Sequence, residues 1–125
     1  MYRMAMENLL AWKQSRRRKP LIIEGARQVG KTWLMKEFGR QAYGDTVYIN
    51  FDSNARMAEL FASDLDTKRL VLGLELYAGR KIDPENALLI FDEVQEVPRA
   101  LAALKYFCED APQYHIVCAG SLLGI

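Results

Sequence analysis

Residues 24–33 read EGARQVGKTW. Inside this stretch Gly25-Ala26-Arg27-Gln28-Val29-Gly30-Lys31-Thr32 satisfies G-x-x-x-x-G-K-[ST] without a gap. The spacing has a physical logic. Gly25 and Gly30 permit backbone angles that a Cβ would forbid. The N–H groups of the loop can then turn inward and form a concave anion nest. A helix opening at the end of the loop aims its positive end at the same point. Lys31 adds a mobile charge for β- and γ-phosphates, and the Thr32 hydroxyl is a hard oxygen ligand suited to Mg²⁺.

The pattern is specific only between a buried strand and a helix, and its flanks provide both. LIIE (21–24) is a short apolar run with β-branched residues, as expected of a strand buried on both faces. KTWLMKEFGR (31–40) places Leu34, Met35 and Phe38 at helical spacing, with Gly39 as the expected stop. The alternation continues along the chain. TVYINFD (46–52), ALLIF (87–91) and YHIVCAG (114–120) read as further strands.

Residues ~54–79 read as helical in two pieces, with apolar stripes Met57, Leu60, Phe61 and Leu70, Val71, Leu74, Tyr77. Asp66 is placed to cap the second piece and Gly79 to end it. KIDPEN (81–86) is a turn. Pro98 suits a first helical turn, and Leu101, Leu104, Phe107 and Cys108 follow on one face. At the N-terminus, residues ~4–14 read as a helix with Met6, Leu9 and Leu10 on one face, closed by SRRRKP. This order predicts an α/β three-layer sandwich, a mostly parallel sheet with helices on both faces. Right-handed crossovers then gather the C-terminal strand ends into one ligand-binding crevice.

ALLIFDEVQE places Asp92 and Glu93 just past the third strand, on that crevice. Asp92 is suited to hold the water shell of Mg²⁺. Glu93 is suited to orient or deprotonate a water for in-line attack on a γ-phosphate. Gln95 and Glu96 extend the polar group. Gln95 contacts water or a partner, or belongs to a solvated loop before Pro98; the residues do not choose. Ser121, after the fourth strand, either reaches a γ-phosphate or the attacking water, or caps a following helix. The side chains of Arg27 and Gln28 receive no chemistry, since loop side chains can face outward while the backbone binds phosphate. The nucleotide-contacting stretch is taken as Gly25, Ala26, Arg27, Gln28, Val29, Gly30, Lys31, Thr32 and Trp33, with Ser121 added. Thr32 and Asp92 form the metal side, and Glu93 and Lys31 the catalytic pair.

The rest of the composition narrows the function classes. The 125 residues suffice for one domain with one core, and a net charge of +1 gives no general attraction to nucleic acid or anionic lipid. SRRRK (15–19) is short, lacks interleaved aromatics, and reads as a solvated hinge before a nucleic-acid patch. It also stands where the chain could approach a bound base. His115, the single histidine, has no acidic or cysteine partner placed by sequence and reads as a strand residue. Cys108 and Cys118 read as buried free thiols in a reducing compartment. No apolar run approaches the ~20 residues of a membrane span. The N-terminus has its charges after its apolar stretch, the reverse of a secretory signal. A cytoplasmic protein is expected.

Taken together, LIIEGARQVGKTWLMKEF, FDEVQEVPRALAALKYF and YHIVCAGSLLGI resemble bacterial and archaeal ATPases of the AAA+ superfamily. In that group a nucleotide-binding domain precedes a C-terminal, nuclease-like domain of unsettled function. The resemblance implies a P-loop core with strand order 5-1-4-3-2. It puts Lys31 and Thr32 in the Walker A motif, Asp92 and Glu93 in Walker B, and Ser121 near the sensor-1 position. It implies ATP and Mg²⁺ as ligands.

The chain reaches Ile125 directly after the fourth strand. The expectation is therefore an incomplete core: residues 1–19 as helix and basic linker, 20–125 as the nucleotide-binding part. A fifth strand, lid, second sensor, arginine finger and effector domain would lie beyond it. The first strand would then offer an open edge for self-association. Mg²⁺-dependent ATP hydrolysis is expected of the full-length protein, and at most nucleotide binding of residues 1–125. A nucleotide-gated switch with slow hydrolysis is the second reading. A nucleic-acid module using Arg16, Arg17, Arg18 and Lys19 is the third.

Overall fold

A computed structural model describes residues 2–23 and 30–120. Helix α1 spans Tyr2–Gln14, strand β1 Leu21–Ile23, α2 Lys31–Ala42, β2 Asp45–Asn50, α3 Ala55–Leu60, α4 Thr67–Ala78, β3 Ala87–Asp92, α5 Pro98–Asp110 and β4 His115–Ala119. A single 3₁₀ turn, Val94–Glu96, joins β3 to α5. The expectations for Gly25, Ala26, Arg27, Gln28, Val29 and Ser121 concern residues outside those described.

The four strands form one sheet in the order β1-β4-β3-β2, and every pairing is parallel. This is the 1-4-3-2 portion of the implied order. Strand parity divides the core in two. Val47, Ile49, Leu89, Phe91, Ile116 and Cys118 face α3, α4 and α5. Leu88, Ile90, Val117 and Ala119 face α1 and α2, packing with Met6, Leu9, Met35 and Phe38. All six residues of β3 are buried, the signature of a central parallel strand covered on both sides. The layers follow from the apolar runs: a strand apolar on both faces needs a helix on each.

Local signals explain most boundaries. Asn54 and Asp66 cap α3 and α4 by accepting from the backbone N–H of Met57 and Arg69. Gly79 ends α4 at φ 78°, where glycine carries no Cβ penalty. Pro98 opens α5 as expected.

Four expectations are corrected. Gly39 does not stop α2, which runs three residues further to Ala42. A Cβ at Gly39 would collide with the Thr46 side chain, so this glycine lets α2 lie close on β2. Leu10 is exposed on α1 while Met6 and Leu9 carry its contact. On α5 the buried stripe is Ala100, Ala103, Leu104 and Phe107; Leu101 and Cys108 are only half-buried. Cys118 alone is a fully buried thiol, and burial pushes its pKa up.

Candidate functional site

Because all strands run parallel, their C-terminal ends share one edge. In register, Ile23 pairs with Ala119, Ala119 with Asp92, and Asp92 with Asn50. That row sets the end of β1, where the glycine motif begins, one strand away from Asp92. Helix α2 returns across the same face with Lys31 and Thr32 in its first turn.

The two halves of the sequence motif meet directly. The Thr32 hydroxyl donates to Asp92 Oδ2 at 2.6 Å. Asp92 is the last residue of β3 rather than a residue past it, and it is 5 % exposed. Burying a carboxylate is costly unless donors surround it, and three do. Besides Thr32, the Tyr48 hydroxyl donates to the same Oδ2 at 2.7 Å. The backbone N–H of Glu93 donates to Oδ1 at 3.0 Å. Burial, and then the bond to Asp92, push the Tyr48 pKa upward, so its hydroxyl stays a donor.

Glu93 follows with φ 52° and ψ 44°, a left-handed conformation unusual for a side chain with a Cβ. Gln95 Nε2 donates to Glu93 Oε1 at 2.7 Å. The other amide atom, Gln95 Oε1, is buried without a hydrogen-bond partner. Gln95 itself stands half-buried on the 3₁₀ turn, and Glu96 beside it is exposed.

Gly30 precedes α2 at φ −99°, which any residue can adopt, and among the described residues a Cβ there would meet nothing within 4 Å. The expectation that Gly30 takes backbone angles a Cβ would forbid is corrected by that φ. Unlike Asn54 and Asp66, it has no side chain to cap the first-turn N–H groups. Trp33 is 56 % exposed beside Thr32. Lys31 stands half-buried at the head of the helix.

These residues suit a hard cation held partly by water and substrate. Mg²⁺ prefers oxygen ligands and takes one or two from protein, completing its shell with water and phosphate. Thr32 and Asp92 are the two residues here that would supply such a pair. Among the described residues, no group of three or more His, Cys, Asp or Glu could cage a metal alone.

Other expectations fall elsewhere. His115 lies at the start of β4, at the opposite edge, with Nδ1 2.5 Å from the Tyr43 hydroxyl. Arg18 is half-buried and donates to Lys13 O at 3.2 Å and Pro112 O at 3.4 Å. SRRRK therefore belongs to the N-terminal edge of the sheet, away from the crevice. Tyr48 is the site residue that the sequence reading missed. The signal was available: in TVYIN, Val47 and Ile49 face one way, so Tyr48 must share the α2 face with Asp92.

No helix among the described residues is long and apolar enough to cross a membrane. No curated protein matches the sequence. The solved structure of C. elegans PCH-2 is similar in fold, with a TM-score of 0.53 at 16% identity over 97% of this chain. The chain spans 37% of the length of that structure's chain. A family model described as AAA domain matches residues 17–125. The match takes in the glycine motif, the acidic pair and all four strands, and the chain belongs to that family of nucleotide-binding, ATPase-type domains.

Proposed function

We propose that this domain binds ATP with Mg²⁺ at the C-terminal edge of its sheet and serves hydrolysis with Glu93 as the general base. The observation that carries the reading is the 2.6 Å bond from Thr32 to the buried Asp92, which joins the glycine motif to the acidic pair. In this reading the backbone of residues 25–30 and the first turn of α2 receive the phosphates. Lys31 places positive charge against the β- and γ-phosphates. Thr32 and Asp92 hold the cation side, where bound Mg²⁺ would supply charge to offset that developing on the phosphate oxygens. Glu93, held by Gln95, orients and deprotonates the attacking water. Ser121 and Trp33 belong to the nucleotide-contacting set.

The test uses the intact protein. Lys31→Ala should abolish measurable ADP binding by calorimetry. Glu93→Gln should keep nucleotide affinity within about twofold and lower turnover by ~10²–10⁴-fold, the range of a lost general base. Turnover unchanged in Glu93→Gln would remove Glu93 from that role.

The bond between Gln95 and Glu93 favours a second reading, a nucleotide-gated switch. In this second reading the amide holds the base back until nucleotide or a partner repositions it. Slow steady-state hydrolysis that a partner or effector domain accelerates would distinguish the switch from a constitutive ATPase.

A further inference from the structure

Tyr48 stands mid-strand in β2, with its ring packed at the margin of the cluster of Met6, Leu9, Met35 and Phe38. The Lys36 ammonium sits 4.0 Å from the ring centroid on the α2 side. Strand pairing and packing thus fix the ring independently of its hydroxyl.

That hydroxyl completes an uneven distribution of donors around Asp92. Among the described residues, Oδ2 accepts two O–H donors, from Thr32 and Tyr48, while Oδ1 accepts one, the Glu93 N–H. An ionised carboxylate offers about four acceptor sites. Oδ2 is filled and Oδ1 retains capacity. Thr32 has committed its single proton to Asp92, which leaves the lone pairs of its oxygen for a cation. Without the Tyr48 bond, the buried carboxylate could rotate and exchange the roles of its oxygens.

We propose that Tyr48 is a positioning residue for the divalent cation. By bonding Asp92 Oδ2 beside Thr32, it holds the carboxylate so that Oδ1 remains available to the hydrated metal. This rests on the reading of the site as a Mg²⁺-nucleotide site. It assigns a role to a strand residue outside both sequence motifs.

The experiment measures ADP affinity of the intact protein by calorimetry, once with excess Mg²⁺ and once with EDTA. The ratio of the two affinities reports the metal contribution without any turnover. Tyr48→Phe retains the ring, so the fold should persist, and thermal unfolding checks it. The variant should leave the EDTA affinity within about twofold of wild type. It should reduce the Mg²⁺ enhancement by ~3–10-fold, the scale of one ordinary net hydrogen bond. Thr32→Val should reduce the enhancement at least as far. An enhancement in Tyr48→Phe equal to or above wild type would overturn the inference while leaving the nucleotide site intact. An equal loss with Mg²⁺ and with EDTA would assign Tyr48 a merely structural role and also overturn it. Absence of Mg²⁺ enhancement in the wild type would overturn the underlying reading of the site, and this inference with it.

Discussion

Glu93 has a left-handed backbone in the middle of a polar cluster, and that conformation carries a cost of the order of 1 kcal/mol for a residue with a Cβ. Glu93→Gly should therefore leave stability within about 1 kcal/mol of wild type in urea titrations, the relieved strain offsetting much of the lost Gln95 bond. In the proposed reading it should abolish turnover at the same time. His115 gives a prediction of opposite character. Burial, then the nearby Arg18 and Lys13 charges, depress its pKa from the ordinary 6.5 to about 4. The unfolded chain consequently binds a proton between pH 6.5 and 4 that the folded chain refuses. Stability from this residue is full above pH 6.5 and falls as the pH drops toward 4. His115→Gln should flatten that acid limb in urea titrations run between those values. The ring is still partly in contact with solvent, so the difference should be about 1–2 kcal/mol rather than the full shift. At this scale Lys31, Thr32, Asp92 and Glu93 were legible because each is named by a motif. The face of Tyr48 was readable in TVYIN, but its bond to Asp92 and the Tyr43–His115 pair were not, because those partners lie far apart in sequence and only the packed fold brings them together.

Helix α2 shows what an element requires beyond its own sequence. Local chemistry read correctly wherever the cause was local: the Asp66 cap, the Gly79 stop and the Pro98 start each depend on one turn of chain. Gly39 misled because its reason lies on another element, the β-branched Thr46 of β2, whose stiff side chain occupies the space a Cβ would need. Gly39→Ala should therefore destabilise despite better helix propensity. The propensity gain is ~1 kcal/mol and the overpacking cost ~1–3 kcal/mol, leaving a net loss of up to roughly 2 kcal/mol by thermal or urea unfolding. Thr46→Ala, which removes both the Oγ1 and the Cγ2 that a Cβ at position 39 would meet, should relieve part of that loss when combined with it, a non-additivity that a double-mutant cycle measures. Moving α2 away from β2 also separates Thr32 from Asp92. The same substitution should then weaken Mg²⁺-dependent nucleotide binding.

For the whole molecule, alternation of strands and helices was sufficient to read an α/β sandwich, since apolar runs flanked by amphipathic helices admit few other arrangements. The order β1-β4-β3-β2 was not in the periodicity; it came from the resemblance and agrees with the pairing observed. The two-sided burial of β3 follows from its place inside that order. The order has a kinetic consequence. Leu21 pairs with Val117, so β1 closes against a strand from the other end of the chain, whereas β2 and β3 are neighbours across a shorter connection. Loop closure makes such a distant pairing slow. In pulse-labelling hydrogen exchange, the amides of β1 should gain protection after those of β2 and β3. The strand that leads into the glycine motif is then the last to dock. Newly made or refolding chains would hold a folded half-sheet before they could hold a nucleotide. ADP with Mg²⁺ should accordingly slow unfolding without hastening refolding.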